Sequence, residues 1–176
     1  FHVNQFIDIE NISHSEIMNE NEYIEIRDIG TGGVFSCWLI YHISRGELYA
    51  IKKLNGNHSD APKLINRENL NYSKIHHPLI PKFYGKVKDT NYIIIEFIKG
   101  QTLDTINKNK LSLLQKVMII FEIMNVIKYF HENDMIYRDL KPKNIMIDSN
   151  KNAILIDFDR LIENDDLIHT NDLGIE

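Results

Sequence analysis

The sequence predicts an α+β fold in two parts, a five-stranded antiparallel β-sheet with one helix and then a helical part. Residues 22–98 contain short runs of β-branched and aromatic residues that turn signals separate, which is typical of strands. One helical pattern interrupts these runs. After Gly100 the pattern changes to that of a long helix.

The first three strands are the segments EYIEIRDIG, FSCWLIYHIS and ELYAIKKL, which the turn signals TGG and SRGE separate. A helix is predicted from Asp60, an N-cap residue ahead of Pro62, to about His76, before Pro78. Two further strands, near 83–88 and 92–98, complete the five-stranded sheet.

Ser112 and Gln115 form a capping box that opens a helix from about 113 to 132. The apolar residues of this helix lie almost all round it, which predicts the buried core of a second, helical lobe. The polar residues 1–21 are expected to be a loosely attached N-terminal extension. The predicted boundaries are therefore 1–21 for the extension, 22–98 for the first lobe and 99–176 for part of the second.

Charge and composition exclude several function classes. The 176 residues have a net charge of −5 and a pI of about 5.9, which indicates no basic surface for nucleic acid or an anionic membrane. The longest apolar stretch, interrupted by Glu122, falls short of the roughly 20 residues that a membrane span needs. A single cysteine fits a reducing compartment, so we expect an intracellular, cytoplasmic protein. Phe1 and the lack of a signal segment suggest a fragment.

Glu68 interrupts an apolar stripe on the predicted helix, because it shares a face with Leu64, Tyr72 and Ile75. Lys52 follows the apolar run LYAI and points to the covered side of the sheet. A buried charge needs an opposite charge nearby, so the pattern predicts an ion pair between Lys52 and Glu68. The alternative is that Glu68 reaches water at the edge of the stripe.

The segment NIMIDSNKNAILID predicts a hairpin with its turn at Asn150 and Lys151, which places Asn144 opposite Asp157. Amide and carboxylate oxygens suit Mg²⁺, and Asp139 supplies a third oxygen donor nearby. The alternative is structural, with Asn144 capping a turn and Asp157 ending a strand in solvent.

The loop IGTGGVF joins the first two strands. Glycines let backbone N–H groups approach a phosphate closely, although a short run of glycines is more often a plain hairpin turn. Lys52, on a neighbouring strand, favours the phosphate-binding interpretation.

Together these motifs resemble a eukaryotic-type protein kinase from about Tyr23 to the last residue. The loop glycines resemble the phosphate-covering loop, and YAIK resembles the VAIK motif, with Lys52 as its lysine. Glu68 resembles the helix glutamate, and YRDLKPKN the HRD catalytic loop. The resemblance implies a bilobal protein-kinase-like fold whose second lobe runs only to the start of the activation segment.

The resemblance also implies residue roles and cofactors. Asp139 is the expected catalytic base, Lys141 neutralises the transferring phosphoryl group, and Asn144 and Asp157 hold Mg²⁺. Lys141 also indicates the serine/threonine subclass, so the expected partners are ATP and a protein substrate with a Ser or Thr acceptor. The residues expected to bind ATP, some through adenine contacts at the Glu96 carbonyl and Ile98 amide, are Ile29, Gly30, Thr31, Gly32, Gly33, Cys37, Ala50, Lys52, Glu68, Glu96, Ile98 and Met146.

The chain departs from the family pattern at several positions. Phe35 takes the place of the third loop glycine, which makes the loop tip bulkier. Tyr137 replaces the HRD histidine and is expected to pack against Phe158. Asp159 replaces the glycine of DFG, which predicts a stiffer switch and adds a carboxylate beside Asp157.

The chain ends before an APE motif, so the resemblance implies a C-terminally truncated kinase domain. Thr170 is a candidate phosphorylation site in the activation segment, with Arg138 as the partner of its phosphate; an exposed loop threonine is the alternative. Two other functions remain open: an ATP-binding pseudokinase or inactive kinase fragment, and a small-molecule phosphotransferase of the same architecture.

Overall fold

The computed structural model describes residues 16–32, 35–54, 61–107, 109 and 111–163. Short 3₁₀ turns lie at Glu20–Glu22 and Pro142–Asn144. The helices and strands are, in chain order, β1 (Glu16–Met18), β2 (Tyr23–Thr31), β3 (Phe35–His42), β4 (Glu47–Leu54), α1 (Ala61–Lys74), β5 (Phe83–Val87), β6 (Ile93–Glu96), β7 (Gly100–Thr102), α2 (Leu113–Glu132), β8 (Met135–Tyr137), β9 (Ile145–Asp148), β10 (Ala153–Leu155) and β11 (Leu161–Glu163).

The main sheet has six strands in the order β1-β5-β6-β4-β3-β2. The five predicted strands are β2 to β6, and all of their pairings are antiparallel, which confirms this part of the prediction. β1 is a sixth strand that pairs parallel with β5. Met18 packs into a buried cluster with Ile40, Ile51 and Val87. Residues 16–18 therefore belong to the sheet and not to a loosely attached extension.

Helix α1 covers one face of this sheet. It begins at Ala61 and ends at Lys74, close to the predicted bounds, although its predicted N-cap lies outside the described residues. Ile65, Glu68 and Tyr72 are fully or almost fully buried. Glu68 therefore lies within the apolar stripe and not at its solvent edge.

Helix α2 starts and ends where the sequence predicts, at Leu113 and Glu132. The capping box is present, since Gln115 N–H donates to Ser112 Oγ over 3.2 Å and Ser112 N–H donates to Gln115 Oε1 over 2.8 Å. Glu122 accepts a 2.7 Å hydrogen bond from the backbone of Ala153, which links the helix to β10.

Only one face of α2 is buried, so the prediction of a helix buried all round is wrong. Its buried residues are Ile119, Ile123, Val126 and Phe130. Within the described part of the chain, α2 packs against β8 and β10. The opposite face exposes large apolar side chains, namely Leu113, Leu114, Val117, Met118, Ile120, Phe121 and Met124. Among the described residues, no helix is long and apolar enough to cross a membrane.

The hairpin of β9 and β10 is shifted by one residue from its predicted register. Met146 pairs with Ile154, and Asn144 O accepts the N–H of Ile156 over 2.9 Å, so Asn144 does not face Asp157 across the ladder. The cause is the turn, which has three residues instead of two. Lys151 adopts φ 75°, as the last residue of such a loop often does, and Asp148 accepts hydrogen bonds from the turn backbone.

The two lobes share one core. Ala50, Ile93 and Tyr72 of the first lobe lie in the same buried cluster as Phe130 and Leu155 of the second. The chain segment after β10 returns to the first lobe, because β11 pairs with β8 and contacts α1. Side chains from both lobes therefore meet along this junction. The region around Lys52, Asp139 and Asp157, where they meet, is the cleft between the lobes.

Candidate active site

Lys52 lies at the centre of the cleft. On β4 it pairs with Cys37 of β3 and Ile93 of β6, so both sides of its strand are covered. Its Nζ lies 2.6 Å from Glu68 Oε1 and 3.0 Å from Asp157 Oδ1. The structure thus brings together the predicted Lys52–Glu68 pair and adds a second carboxylate to it.

The electrostatics of this group follow from burial. Burial disfavours the charge of Lys52, but the attraction of Glu68 and Asp157 outweighs it and raises the lysine pKa above its ordinary value. Burial also raises the pKa of Glu68, against the effect of Lys52. Lys52 therefore keeps its proton at neutral pH and remains a fixed positive charge in the cleft.

Asp139 follows β8 and lies at the centre of a second hydrogen-bonded group. Its carboxylate accepts hydrogen bonds from Lys141 Nζ over 2.5 Å and from Asn144 Nδ2 over 2.9 Å. Burial alone would raise the pKa of Asp139, but these two donors outweigh it and lower the pKa below its ordinary value. The group is therefore a carboxylate at neutral pH, as a general base must be.

Asn144 is buried, and its amide group is held on the Asp139 side. Nδ2 donates to the Asp139 carbonyl over 3.0 Å and contacts the Tyr137 hydroxyl at 3.2 Å. Tyr137 donates in turn to the carbonyl of Ile156 over 3.0 Å, so it links the end of β8 to the residue before Asp157. The amide nitrogen is thereby occupied by these contacts, and the amide oxygen is the group left to serve as a ligand.

Three carboxylates converge at the cleft. Oxygens of Asp139, Asp157 and Asp159 lie within 4.8 Å of one another. Asp157 adopts a left-handed backbone with φ 69°, a conformation that aspartate tolerates better than most residues. From the sequence, Asp159 is an added carboxylate beside Asp157 but not a predicted metal ligand. The predicted register of the β9–β10 hairpin brought only Asn144 and Asp157 together.

The predicted phosphate-covering loop is described in part. Ile29, Gly30 and Thr31 end β2, Gly32 follows it, and Gly33 lies outside the described residues. Asp28 organises the loop by accepting hydrogen bonds from Gly30 N–H, over 2.7 Å, and from the Thr31 hydroxyl.

Phe35 follows this loop and enters the cleft. The Lys52 ammonium lies 4.5 Å from the centre of its ring, within cation–π distance. Gly32 N–H donates to the carbonyl of Phe35 over 2.8 Å, which links the end of β2 to the start of β3. An aromatic side chain therefore contacts the lysine that the family pattern assigns to phosphate.

The other residues predicted to bind ATP fall in two places. Ala50 faces Ile95 across β4 and β6, and Cys37 and Ile29 pack against the same core. Burial raises the pKa of the Cys37 thiol to about 11, so it is protonated at neutral pH.

The other predicted adenine contacts lie at the lobe junction. Glu96 ends β6, Ile98 lies in the connection to β7, and Met146 of β9 pairs with Thr102. The Glu96 N–H donates to the Lys82 carbonyl over 2.8 Å. The hydrogen bonds of Glu96 and Ile98 to adenine remain a prediction.

Phe158 anchors the segment that contains Asp157 and Asp159. Its ring is fully buried and packs edge-on against Tyr72 of α1, with 5.1 Å between the ring centres. The ring centre of Tyr137 lies 5.8 Å away, which confirms the predicted contact between Tyr137 and Phe158. Asn71 of α1, which sequence reasoning missed, donates to the carbonyls of Phe158 (2.6 Å) and Leu161 (3.0 Å).

Arg138 and Thr170 concern the predicted phosphorylation site. Arg138 donates to the Arg160 carbonyl over 3.2 Å, and its side chain is exposed. Thr170 lies outside the described residues, so their pairing remains a prediction.

The sequence of the chain is similar to those of known protein kinases. The sequence profile of the protein kinase domain matches residues 23–166, which is most of the chain. The chain is 30% identical over 142 residues to the carbon catabolite-derepressing protein kinase of Candida glabrata, covering 77% of this chain and 23% of that protein. It is 31% identical over 144 residues to the cAMP-dependent protein kinase catalytic subunit of Dictyostelium discoideum, covering 78% and 22%.

A bacterial protein is similar to the same extent. The chain is 32% identical over 158 residues to the serine/threonine-protein kinase PrkC of Bacillus subtilis, covering 85% of this chain and 24% of that protein. The chain belongs to the protein kinase domain family. It spans about a quarter of the length of these curated relatives.

Proposed function

We propose that this domain transfers the γ-phosphoryl group of ATP to Ser or Thr hydroxyls of a protein substrate in the cell interior. The observation that supports the proposal best is the pairing of two hydrogen-bonded groups in one cleft. Lys52 contacts Glu68 and Asp157, and Asp139 contacts Lys141 and Asn144. A positive charge for phosphate and a carboxylate for proton transfer are the groups that phosphoryl transfer requires.

Each residue has a defined task in the proposed reaction. Lys52, which Glu68 holds by an ion pair, binds the nucleotide phosphates. Asp139 orients the acceptor hydroxyl and takes its proton as the hydroxyl oxygen attacks the γ-phosphorus, while the bond from that phosphorus to the bridging oxygen breaks and ADP leaves. Lys141, 2.5 Å from Asp139, compensates negative charge on the transferring phosphoryl group.

The donor atoms of the cleft fit a divalent cation. Asn144 and Asp157 are the proposed Mg²⁺ ligands, and a hard cation prefers such amide and carboxylate oxygens. Asp159 Oδ1 is buried without a hydrogen-bond partner among the described residues, as expected of a cleft that binds a cation. When bound, Mg²⁺ supplies positive charge that neutralises the phosphate oxygens.

Incubation of the chain with labelled ATP, Mg²⁺ and a generic protein substrate tests the proposal. We expect label on Ser and Thr, and a rate about 100-fold or more lower in Asp139→Asn, because a positioned general base contributes at least that factor. Asp104→Asn, at an exposed position outside the cleft, is the matched control and retains the wild-type rate.

The same experiment separates the other two functions. Transfer no faster than Asp139→Asn, together with ATP-dependent stabilisation of the fold, indicates an ATP-binding pseudokinase or inactive fragment. Label that appears only in added small molecules indicates a small-molecule phosphotransferase. Acid hydrolysis of the labelled protein, followed by separation of the phosphorylated amino acids, shows whether the label is on Ser or on Thr.

A further inference from the structure

Asp159 is a carboxylate of the cleft for which the proposed reaction has no task. It stands where the family pattern has glycine, and its side chain shares the 4.8 Å cluster with Asp139 and Asp157. The other two carboxylates have protein partners. Asp157 contacts Lys52, and Asp139 contacts Lys141 and Asn144.

The Oδ1 atom of Asp159 is shielded from solvent and has no hydrogen-bond donor among the described residues. A buried oxygen without a donor destabilises the fold, and more so when it is charged. Lys52 does not donate to this oxygen, since its ammonium already contacts the carboxylates of Glu68 and Asp157. Even so, Glu68 Oε2 has no hydrogen-bond partner among the described residues.

The cleft contains more carboxylates than positively charged side chains. Four carboxylates lie there, on Glu68, Asp139, Asp157 and Asp159. Within the described ranges, only the ammonium groups of Lys52 and Lys141 lie at ion-pair distance from them. The carboxylates therefore outnumber the cations at ion-pair distance among the described residues, and a divalent cation would supply the missing positive charge.

The backbone on either side of Asp159 is held in place. Asn71 donates to the carbonyls of Phe158 and Leu161, and the Phe158 ring is fully buried. Asp159 is not among the described residues with a left-handed backbone, so an aspartate fits here without strain. Its carboxylate is therefore presented to the cluster by a fixed turn, which favours ligand binding over free movement in solvent.

We infer that Asp159 is a third protein ligand of the divalent cation, beside Asp157 and Asn144, so that the cleft binds the metal before any nucleotide is present. The inference rests on the proposed function, because it concerns the same metal site. Mg²⁺ at nucleotide sites usually has one or two protein carboxylates and relies on substrate phosphates for further ligands. With Asp159 the site has two carboxylate ligands, where Asp157 alone would give one, and the second negative ligand increases the affinity of the nucleotide-free protein for the cation.

Binding of Mn²⁺ to the nucleotide-free chain tests this inference, with free Mn²⁺ measured by electron paramagnetic resonance. We expect Asp159→Asn to weaken binding about tenfold or more, since even groups that only support metal ligands contribute about 10- to 100-fold. Asp159→Glu, which keeps the charge, retains part of the affinity. Asp104→Asn, at an exposed position, binds as the wild type does.

Thermal unfolding distinguishes a ligand from a structural residue. Without metal, Asp159→Asn removes repulsion from its neighbours, so its Tm is equal to or above that of the wild type. With Mn²⁺, the wild type gains more in Tm than the variant does. A variant that melts lower without metal and responds to Mn²⁺ like the wild type overturns the inference.

Asp157→Asn separates this inference from the proposed function. If Asp157→Asn weakens Mn²⁺ binding and Asp159→Asn changes it less than about twofold, the inference is wrong and the proposed metal site stands. If neither substitution changes Mn²⁺ binding, and ATP with Mg²⁺ does not stabilise the fold, the proposed function itself fails.

Discussion

Phe35 is the residue whose side chain most directly affects access to Lys52. Its ring faces the ammonium at 4.5 Å, on the lysine that is proposed to bind phosphate. A cation–π contact at a partly exposed site contributes about 0.5 to 1 kcal/mol. A nucleotide phosphate has to displace or share this contact before it binds.

Phe35→Gly, which restores the residue of the family pattern, is therefore expected to bind ATP with Mg²⁺ about two- to fivefold more tightly, the equivalent of that contact energy. Isothermal titration calorimetry measures the difference. Phe35→Leu is the matched control: it retains apolar bulk but has no π face, so it separates the cation–π contact from steric hindrance. Weaker binding of ATP by Phe35→Gly would show instead that the ring supports the nucleotide.

Residues 157–159 form the DFD segment. Its residue with a left-handed backbone is Asp157, with φ 69°, and not Asp159. The expectation of a stiffer switch was based on the missing glycine at Asp159. In this conformation the substitution costs no backbone strain, so any stiffness would arise only when the segment changes conformation. That expectation remains a prediction.

At the scale of secondary-structure elements, α1 and the segment from Phe158 to β11 are joined side by side. Asn71 donates two hydrogen bonds to carbonyls of that segment, and Lys74 forms an ion pair with Glu163. The exposed ion pair contributes little, about 0 to 1 kcal/mol. The amide of Asn71 is partly buried and therefore dominates the connection.

Asn71→Ala leaves two backbone carbonyls without their donor, at a cost of about 1 to 3 kcal/mol. Because these carbonyls flank Asp159, we expect faster hydrogen exchange in residues 158–163 and weaker binding of Mn²⁺, while the β2–β4 sheet is unchanged. Lys74→Ala is the control, with a much smaller effect on both. Equal protection of residues 158–163 in wild type and Asn71→Ala would show that the packing of Phe158 alone fixes the segment.

The elements differ in how far local sequence determines them. The capping box at Ser112 acts within one turn of α2, so the start of this helix was predictable from neighbouring residues. The register of β9 and β10 depends on the left-handed conformation of Lys151, which residue type alone does not indicate. The Lys52–Glu68 pair was predictable because two buried charges need each other, whereas the contacts of Asn71 join residues 87 and 90 positions apart.

Across the whole molecule, the cleft is held by a core that both lobes share. Phe130 of α2 lies at its centre, fully buried, with its ring 5.9 Å from Phe158 and 6.0 Å from Tyr137. The stability of the fold and the position of the DFD segment therefore depend on the same aromatic group. The outer face of α2, with Phe121 59% exposed, takes no part in this core.

These two phenylalanines on one helix provide a matched pair of substitutions. Phe130→Ala is expected to lower the free energy of unfolding by about 3 to 5 kcal/mol, because it leaves a cavity beside Phe158. Phe121→Ala is expected to change it by about 0.5 kcal/mol or less, as exposed positions do. Urea unfolding followed by circular dichroism, at two protein concentrations, measures both values. A loss of several kcal/mol in Phe121→Ala would contradict the exposure of this face. If that loss increased with protein concentration, the outer face of α2 would be buried between copies of the chain.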